Sequence, residues 1–355
     1  MACFAVSFFI GACAGGTPGA FADLGFEDYN PPVPSGPRTR LAPSPTGELH
    51  LGNARTFLFT WALARREGWS VVLRIEDLDA PRVREETVAG CLASLEWLGI
   101  DWDGPVRRQS SDLAPYRAAM ARLGERKLVF RCDLSRKDVR LAASAPHAAD
   151  GETRYEPSLR PGPAAFGFAD ELANHRLLVE AGPETVHDEL LGSHAFDPGL
   201  EAGDFIVWTK AGVPSYQLAV TVDDLAQGVT DVVRGDDLLA SAARQAILYR
   251  HLGGTPPRWW HLPLVLDHEG RRLAKRAGDL SLSSLRSRGI VRERVLGFLA
   301  FRSGLLPRLE PIGLDRFREL IDRDTLRSLA RREAERPLWL PVPDDPEFLP
   351  WLTRS

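Results

Sequence analysis

The sequence has few cysteines and no long apolar run, and each lack argues against a class of protein. Its four cysteines, Cys3, Cys13, Cys91 and Cys132, form no CxxC pair and have no histidine at zinc-finger spacing, so neither a disulfide framework nor a cysteine zinc site is expected. No stretch approaches the roughly 20 apolar residues of a membrane-spanning helix. We therefore expect reduced thiols, with Cys91 buried on an apolar helical pattern, in a cytoplasmic protein that does not span a membrane.

Basic residues are not in excess either. The chain carries 44 Lys+Arg against 48 Asp+Glu, a formal net charge of −4, which disfavours a surface that coats nucleic acid through bulk charge and allows only a local basic patch. The first 37 residues contain no lysine or arginine, whereas a secretory signal needs a positive n-region. We expect residues 1–37 to be a disordered leader.

What the sequence does contain is enough apolar material for a large core. With 355 residues, 44% of them hydrophobic, it exceeds what one hydrophobic core usually organises. An apolar strand over residues 39–42, a helix that starts near an Asn53 N-cap and stops before Gly68, and a second strand over residues 71–75 predict a βαβ opening. The apolar stripe of the next helix is closed by Gly99.

The composition changes further along the chain, where residues 131–203 become rich in Ala, Gly and Pro and predict an insertion. Regular patterns then resume in the segments 204–208, 215–220 and 229–234, a helix over 237–252, a strand over 261–266 and a mostly helical stretch from 291 to about 335. These patterns predict an α/β fold with a Rossmann-like parallel sheet nucleotide-binding domain in two halves, an insertion and a short helical C-terminal tail. The predicted bounds are the leader over 1–37, the first catalytic half over 38–130, the insertion over 131–203, the second half over 204–285 and the tail over 286–355.

Two short motifs have the chemistry of a phosphate site. His50-Leu51-Gly52-Asn53 lies where a strand and a tight loop lead into a helix N-terminus. The amides and the positive dipole end of such a helix attract phosphate, and His50 can donate a further hydrogen bond. The basic loop Arg272-Leu273-Ala274-Lys275-Arg276 follows a predicted strand much later in the chain. Taken singly, the first motif is also compatible with a satisfied loop histidine and the second with a solvated run of charges.

Together the two motifs resemble the HIGH and KMSKS signatures of the class I aminoacyl-tRNA synthetases. The resemblance implies that they clamp ATP, accompanied by Mg²⁺, and that His50 and Lys275 are catalytic, with Lys275 neutralising charge that develops at the α-phosphate. The implied ATP-binding residues are His50, Gly52, Asn53, Arg272, Leu273, Ala274, Lys275 and Arg276. Asn53 replaces the final histidine of HIGH and Arg276 the closing serine of KMSKS, and neither change removes His50 or Lys275.

A closer resemblance is to the glutamyl branch of that family. Residues 40–53 match the pattern RFAPSPTGxLHxG almost throughout, residues 74–79 match RIEDxD and residues 233–238 match VRGxDL. Glutamate has two carboxylates and one ammonium group, so its pocket needs two cationic forks and one acid. The resemblance implies a glutamate pocket formed by Arg40, Leu41, Ala42, Pro43, Ser44, Glu76, Tyr216 and Arg234. In it the two arginines bind carboxylates and Glu76 binds the α-ammonium; a mere strand-end salt bridge between Glu76 and a neighbouring arginine is the alternative.

The length of the chain indicates which glutamyl branch it resembles. Only 79 residues follow Arg276, too few for the helical anticodon-binding region of a full-length glutamyl-tRNA synthetase. The chain resembles the truncated branch, which activates glutamate with ATP and esterifies it to the queuosine base in the anticodon of tRNA(Asp). The resemblance implies L-glutamate, ATP and queuosine-containing tRNA(Asp) as partners, and we expect a monomer. The alternatives are glutamylation of a tRNA 3′ end and a non-catalytic paralogue that binds tRNA.

The insertion departs from the family in one respect. Many members bind zinc there through a CxC, a tyrosine and a final cysteine, whereas this chain keeps only Cys132 and Tyr155 and has Leu159 in the last position. One thiolate and one phenol cannot hold a tetrahedral zinc ion. We predict a zinc-free insertion packed by apolar residues, and no protein-bound metal site.

Overall fold

The computed structural model describes residues 36–79, 82–135, 137–139, 154–266, 281–335, 338 and 351. The predicted leader lies outside these ranges. So does the basic loop with its predicted ATP-binding residues Arg272, Leu273, Ala274, Lys275 and Arg276.

The predicted βαβ opening is present. The elements of this part are β1 (Arg38–Leu41), α1 (Leu51–Arg66), β2 (Ser70–Ile75), α2 (Glu85–Leu98), β3 (Arg107–Arg108) and α3 (Ala114–Glu125). Strands β1, β2 and β3 pair in parallel in that order. Helix α2 ends as predicted at Gly99, whose φ of 81° lies in the left-handed region that a residue without Cβ adopts at little cost.

The start of α1 differs from the prediction. The helix begins at Leu51, and its N-cap is His50 rather than Asn53. The imidazole of His50 accepts the amides of Gly52 and Asn53, while the Asn53 side chain accepts the amide of His50. Asn53 therefore closes a capping box from inside the first turn. The prediction was wrong because histidine is not among the usual cap residues.

The segment predicted as an insertion contributes to two sheets. The strand that leads into it, its own elements and the strand that follows are β4 (Val129–Arg131), β5 (His175–Leu177), β6 (Glu184–Asp188), β7 (Gly192–Phe196), α4 (Pro198–Glu201) and β8 (Ile206–Trp208). Strands β4, β5 and β8 form a small antiparallel sheet. The hairpin β6–β7 instead extends the sheet of the second half. The predicted domain bounds stay a prediction.

The second half supplies another sheet, which is parallel except for the edge strand β7. It contains α5 (Tyr216–Ala226), β9 (Asp231–Gly235), α6 (Leu239–His251) and β10 (Arg258–Leu262), followed by α7 (Leu282–Ser287), α8 (Arg292–Arg302), α9 (Leu314–Glu319) and α10 (Arg323–Glu335). The strand order is β7-β6-β10-β9, with β10 parallel to both β6 and β9. The segment 215–220 forms the N-cap and the start of helix α5, and the strand predicted over 261–266 instead covers Arg258–Leu262.

The sheets of the two halves meet at β1 and β9, which gives the predicted α/β architecture. The Thr230 amide donates to the Arg38 carbonyl over 2.9 Å, and Arg40 Nη1 donates to the Val233 carbonyl over 3.2 Å. The tail is joined to the same body, because the buried guanidinium of Arg55 on α1 binds the Glu333 carboxylate of α10 over 2.6 Å. None of the helices that the structure describes is long and apolar enough to cross a membrane.

Candidate active site

A cavity of about 610 Å³ opens where the carboxyl ends of β1, β2, β9 and β10 face the N-terminus of α1. Ligands of open parallel sheets bind at this edge, where neighbouring strands send their connections in opposite directions. The cavity is lined by residues from both halves of the chain. Of the predicted site residues, it brings together Arg40, Ala42, Pro43, Ser44, His50, Gly52, Asn53, Glu76, Tyr216 and Arg234.

One predicted pocket residue lies elsewhere. The side chain of Leu41 is 1% exposed and belongs to the core beneath the sheet, so it does not line the cavity. Successive side chains of a strand point to opposite faces, and its neighbours Arg40 and Ala42 are on the cavity side. Leu41 is therefore corrected to a core residue.

His50 has a defined tautomer. Its Nδ1 accepts the amides of Gly52 and Asn53 over 3.1 and 3.4 Å, so the proton of the neutral ring is on Nε2. The same contacts mean that these two amides bind His50 itself. A phosphate at this helix end would be bound by the Nε2–H group and the positive end of the helix dipole more than by the amides of Gly52 and Asn53.

Glu76 follows β2 and lines the cavity. Its Oε1 accepts from Arg74 Nη2 over 3.2 Å, while its Oε2 lies 3.5 Å from the Ser44 hydroxyl. Burial raises the pKa of Glu76, although Arg74 and Arg40 act in the opposite direction. The strand-end salt bridge considered as an alternative is thus present, and the second oxygen lies near Ser44, another residue that lines the cavity.

Arg40 enters the cavity from β1 beside a buried carboxylate. Its side chain is 5% exposed and its Nε lies 3.6 Å from Asp224 Oδ1. Its Nη1 donates to the Val233 carbonyl. The Nε group is buried, faces Asp224 and has no hydrogen-bond partner among the described residues.

Arg234, at the end of β9, is held by uncharged groups. Its Nε donates to His261 Nε2 over 3.0 Å, its Nη1 to the Gln245 side chain over 2.8 Å and its Nη2 to the Leu238 carbonyl over 3.1 Å. The Trp259 ring lies against the guanidinium at 4.8 Å. Burial lowers the pKa of Arg234, but an arginine remains protonated in proteins.

Sequence reasoning assigned no role to the charged residues that support this pocket. Arg74, fully buried, donates to Asp224 and Gln227 over 2.7 Å each. Asp223 accepts from Arg107, Gln109 and Tyr116. Although burial opposes its charge, the carboxylates of Asp224 and Asp223 raise the pKa of Arg74 well above its usual range. The sequence does contain one signal that could have identified them: Arg74 lies inside an otherwise apolar strand, and a buried charge must be paired.

A separate cluster surrounds Cys132 and Tyr155, the two residues that remain of the zinc site expected in related proteins. Arg176 Nε lies 3.4 Å from Cys132 Sγ, and its guanidinium stacks 4.2 Å from the centre of the Tyr155 ring. The Tyr155 hydroxyl donates to the Leu159 carbonyl over 2.7 Å. Cys132 and Tyr155 also pack with apolar side chains, among them Phe130. Cys132 and Cys91 are both buried.

Comparison with known proteins agrees with this geometry. Residues 37–324 match the family of class I tRNA synthetases for glutamate and glutamine (E and Q), catalytic domain. The chain therefore belongs to this family, and it is an enzyme of the aminoacyl-tRNA ligase type.

The chain is similar to curated relatives of two kinds within this family. The chain is 42% identical over 280 residues to a glutamyl-Q tRNA(Asp) synthetase of Rhodopirellula baltica, covering 76% of this chain and 85% of that protein. It is 36% identical over 302 residues to a glutamate–tRNA ligase of Synechococcus sp. (strain JA-3-3Ab), covering 83% of this chain and 63% of that protein. The chain thus spans most of the length of the first relative and less than two thirds of the length of the second.

Among solved structures, the fold is similar to that of a glutamate–tRNA synthetase from Elizabethkingia anophelis. The TM-score is 0.68 at 23% identity, over 82% of this chain and 66% of that one. This similarity confirms the predicted fold class.

Proposed function

We propose that the protein activates L-glutamate with ATP and transfers the glutamyl group to the queuosine base in the anticodon of tRNA(Asp). The observation that carries the first part is the convergence of two buried guanidinium groups and one carboxylate, those of Arg40, Arg234 and Glu76, on one cavity. Glutamate offers the complementary set of two carboxylates and one ammonium group. The choice of acceptor is supported by the relative named for glutamyl-Q tRNA(Asp), most of whose length this chain spans.

In the proposed pocket, Arg40 and Arg234 each bind a carboxylate of the substrate, and the carboxylate of Glu76 accepts from its α-ammonium. Ser44 and Tyr216, which also line the cavity, add hydrogen bonds. The α-carboxylate is then held for in-line attack on the α-phosphorus of ATP. Such a reaction needs positioning and charge stabilisation more than a protein nucleophile.

The proposed reaction has two steps. A glutamate carboxylate oxygen forms a bond to the α-phosphorus, the bond from that phosphorus to the β-phosphate oxygen breaks, and pyrophosphate leaves. A ring hydroxyl of the modified base then loses its proton and attacks the glutamyl carbonyl carbon, and AMP leaves with the electron pair. The Nε2–H of His50 donates to a phosphate oxygen, and Lys275, outside the described residues, neutralises developing charge.

Magnesium enters this proposal as the ion that ATP brings. It is usually held in nucleotide sites by phosphates, water and one or two carboxylates, and the cavity lining offers the carboxylates of Glu48 and Asp237. Within the described ranges, no group of three or more His, Cys, Asp or Glu side chains is placed to hold a metal ion. Mg²⁺ bound there would neutralise phosphate charge.

Zinc does not fit the residues of the insertion. The permanent cation of Arg176 lies 3.4 Å from Cys132 Sγ, where it would repel a metal ion, and Leu159 offers no side-chain ligand. We therefore propose an enzyme without structural zinc. We further propose that it is a cytoplasmic monomer.

Acceptor choice is tested with labelled glutamate and two forms of tRNA(Asp). One contains queuosine but is trimmed of its 3′-terminal adenosine, and the other is intact but lacks queuosine. We expect labelling of the trimmed, queuosine-containing tRNA only. Labelling of only the intact, queuosine-free tRNA would instead identify a small synthetase that charges a 3′ end.

Activation is tested separately by glutamate-dependent ATP–pyrophosphate exchange. We expect exchange in the wild type, slowed on the order of 10²–10³-fold in Lys275→Ala, as for other lost charge-stabilising donors. Lys210→Ala is the matched control, since Lys210 is exposed and does not line the cavity. Absence of exchange in the wild type would favour a non-catalytic tRNA-binding paralogue.

A further inference from the structure

A buried chain of three polar side chains connects the hairpin β6–β7 to the cavity. Asp188 ends β6, His261 lies in β10 and Arg234 lies in β9. The sheet register makes His261 and Arg234 direct neighbours on adjacent parallel strands. Asp188 Oδ2 is 2.6 Å from His261 Nδ1, and His261 Nε2 is 3.0 Å from Arg234 Nε.

The hydrogen-bond directions in this chain follow from elementary chemistry. Arginine Nε–H can only donate, so the Nε2 of His261 must accept and carries no proton. The ring proton is therefore on Nδ1 and is donated to Asp188. Burial lowers the pKa of His261 to about 4, so the ring is neutral at neutral pH and keeps this tautomer.

Asp188 is itself fixed. Its Oδ1 accepts the amides of Leu190 and Leu191 over 2.9 Å each, and its Oδ2 also accepts the amide of His261 over 3.0 Å. Both carboxylate oxygens thus face only donors, and the side chain has no exposed surface. This arrangement requires an acceptor at both oxygens, which a carboxylate provides and an amide does not.

These hydrogen bonds determine which donors of Arg234 remain for a ligand. An arginine has five N–H donors, and the three contacts of Arg234 with described residues use one on each nitrogen. One donor on each of the two terminal nitrogens is left for a ligand, which is the number that a bidentate carboxylate takes. Because His261 holds the Nε edge, those two donors keep a fixed direction.

We propose that Asp188 and His261 are positioning residues that orient Arg234 toward a carboxylate of glutamate. The inference rests on the proposed function, in which Arg234 binds that carboxylate. The neutral histidine fixes the guanidinium without adding an anion that would compete with the ligand, and Asp188 sets the histidine tautomer.

The test measures the KM for glutamate and the KM for ATP in ATP–pyrophosphate exchange. In His261→Asn the shorter amide can still meet Asp188 but loses the acceptor for Arg234, so we expect the glutamate KM to rise about tenfold or more, with the ATP KM unchanged within about twofold. In His261→Gln the side-chain oxygen can replace Nε2, so most of the affinity should return. His175→Gln is the control, because His175 is equally buried but lies in β5, away from the cavity.

Asp188→Asn provides a second variant in case His261→Asn does not fold. Its NH₂ group must face either His261 or the two leucine amides, so the tautomer is no longer fixed and the glutamate KM should again rise selectively. An unchanged glutamate KM in a folded His261→Asn or Asp188→Asn protein would overturn the inference. Equal rises in both KM values would also overturn it, since they would indicate a purely structural role.

Arg234→Gln separates this inference from the proposed function. If it raises the glutamate KM while folded His261→Asn does not, only the positioning role fails. If Arg234→Gln leaves the glutamate KM unchanged, the glutamate assignment of Arg234 fails, and the positioning role fails with it.

Discussion

The two arginines of the candidate pocket, Arg40 and Arg234, are surrounded in different ways. Arg40 lies 3.6 Å from the Asp224 carboxylate, which also accepts from Arg74. Arg234 is held by a neutral histidine, an amide and a carbonyl oxygen. Among the described residues, no carboxylate lies within ion-pair distance of Arg234. Two guanidinium groups of the same cavity thus differ in how far the protein already compensates their charge.

The difference teaches how a pocket can hold a cation and still leave it attractive. A buried cation beside a carboxylate is stabilised, but part of its attraction for a ligand is spent on that partner. A neutral acceptor fixes the direction of the guanidinium without reducing its charge. The Arg40 side of the pocket should therefore contribute more to the stability of the fold, and the Arg234 side more to ligand affinity.

The largest expected effect is on glutamate affinity in Arg234→Gln. Removing one member of a desolvated charge pair costs about 2–5 kcal/mol, so we expect the dissociation constant for glutamate to rise by roughly 10²-fold or more. Calorimetric titration without ATP measures it. Arg40→Gln is the comparison variant and should weaken binding less, since Asp224 already shares its charge. The reverse ranking would contradict the comparison.

The next effect is on stability, and it concerns the Arg40 side. Asp224→Asn removes the carboxylate between Arg40 and Arg74 and leaves two buried cations with less compensation. Breaking a buried pair in this way costs about 3–5 kcal/mol. We expect a loss of that order in the free energy of unfolding from urea titration.

Gln245→Glu, next to Arg234, is the converse variant: it should weaken glutamate binding by adding an anion there. Stronger glutamate binding in Gln245→Glu would break the comparison.

Much of the fold, and much of the lining of the candidate cavity, could be predicted from the sequence. The strands β1 and β2 and the end of α2 at Gly99 follow from short apolar runs and a left-handed glycine. The segment 215–220 was harder because a short apolar run does not distinguish a buried strand from a buried helix. Leu41 was placed in the pocket by motif alone, whereas strand alternation puts it in the core.

The supporting residues could not be predicted in the same way. His261 and Arg234 become neighbours only through the register of β9 and β10, and Asp188 joins them only because β6 pairs with β10. These contacts connect residues far apart in the chain, and a pattern within one segment carries no information about them. The His50 cap was missed for a different reason, since Asn53 is the more usual cap residue.

A smaller effect concerns pH and the third charged residue of the pocket. Burial raises the pKa of Glu76. Glu76 is therefore protonated at a higher pH than an ordinary glutamate, whose pKa is about 4.3. The carboxylate is the form that binds the α-ammonium. Glutamate binding should therefore weaken as the pH falls through this raised pKa, and folding stability should change in the opposite sense, because the neutral acid is the form that burial favours.

Calorimetric titration of glutamate at neutral pH and at successively lower pH checks this expectation. We expect affinity to fall toward the acid end in the wild type. Glu76→Gln should bind more weakly at neutral pH and show a flatter profile. A Glu76→Gln protein with normal affinity would show that Glu76 serves only its salt bridge with Arg74.

The smallest expected effect is that of metal removal on stability. It concerns a third arginine, Arg176. Arg176 lies against Cys132 Sγ and the Tyr155 ring, so a permanent cation already stands beside the one thiol of the expected metal position. Metal analysis of the purified protein should find well under one equivalent of zinc, and a strong chelator should leave the melting temperature unchanged. Arg176→Leu should lower that temperature, since it removes the stacking and hydrogen bonds that join β5 to this cluster. One equivalent of zinc, lost together with stability on chelation, would show that the cluster holds a metal despite Arg176.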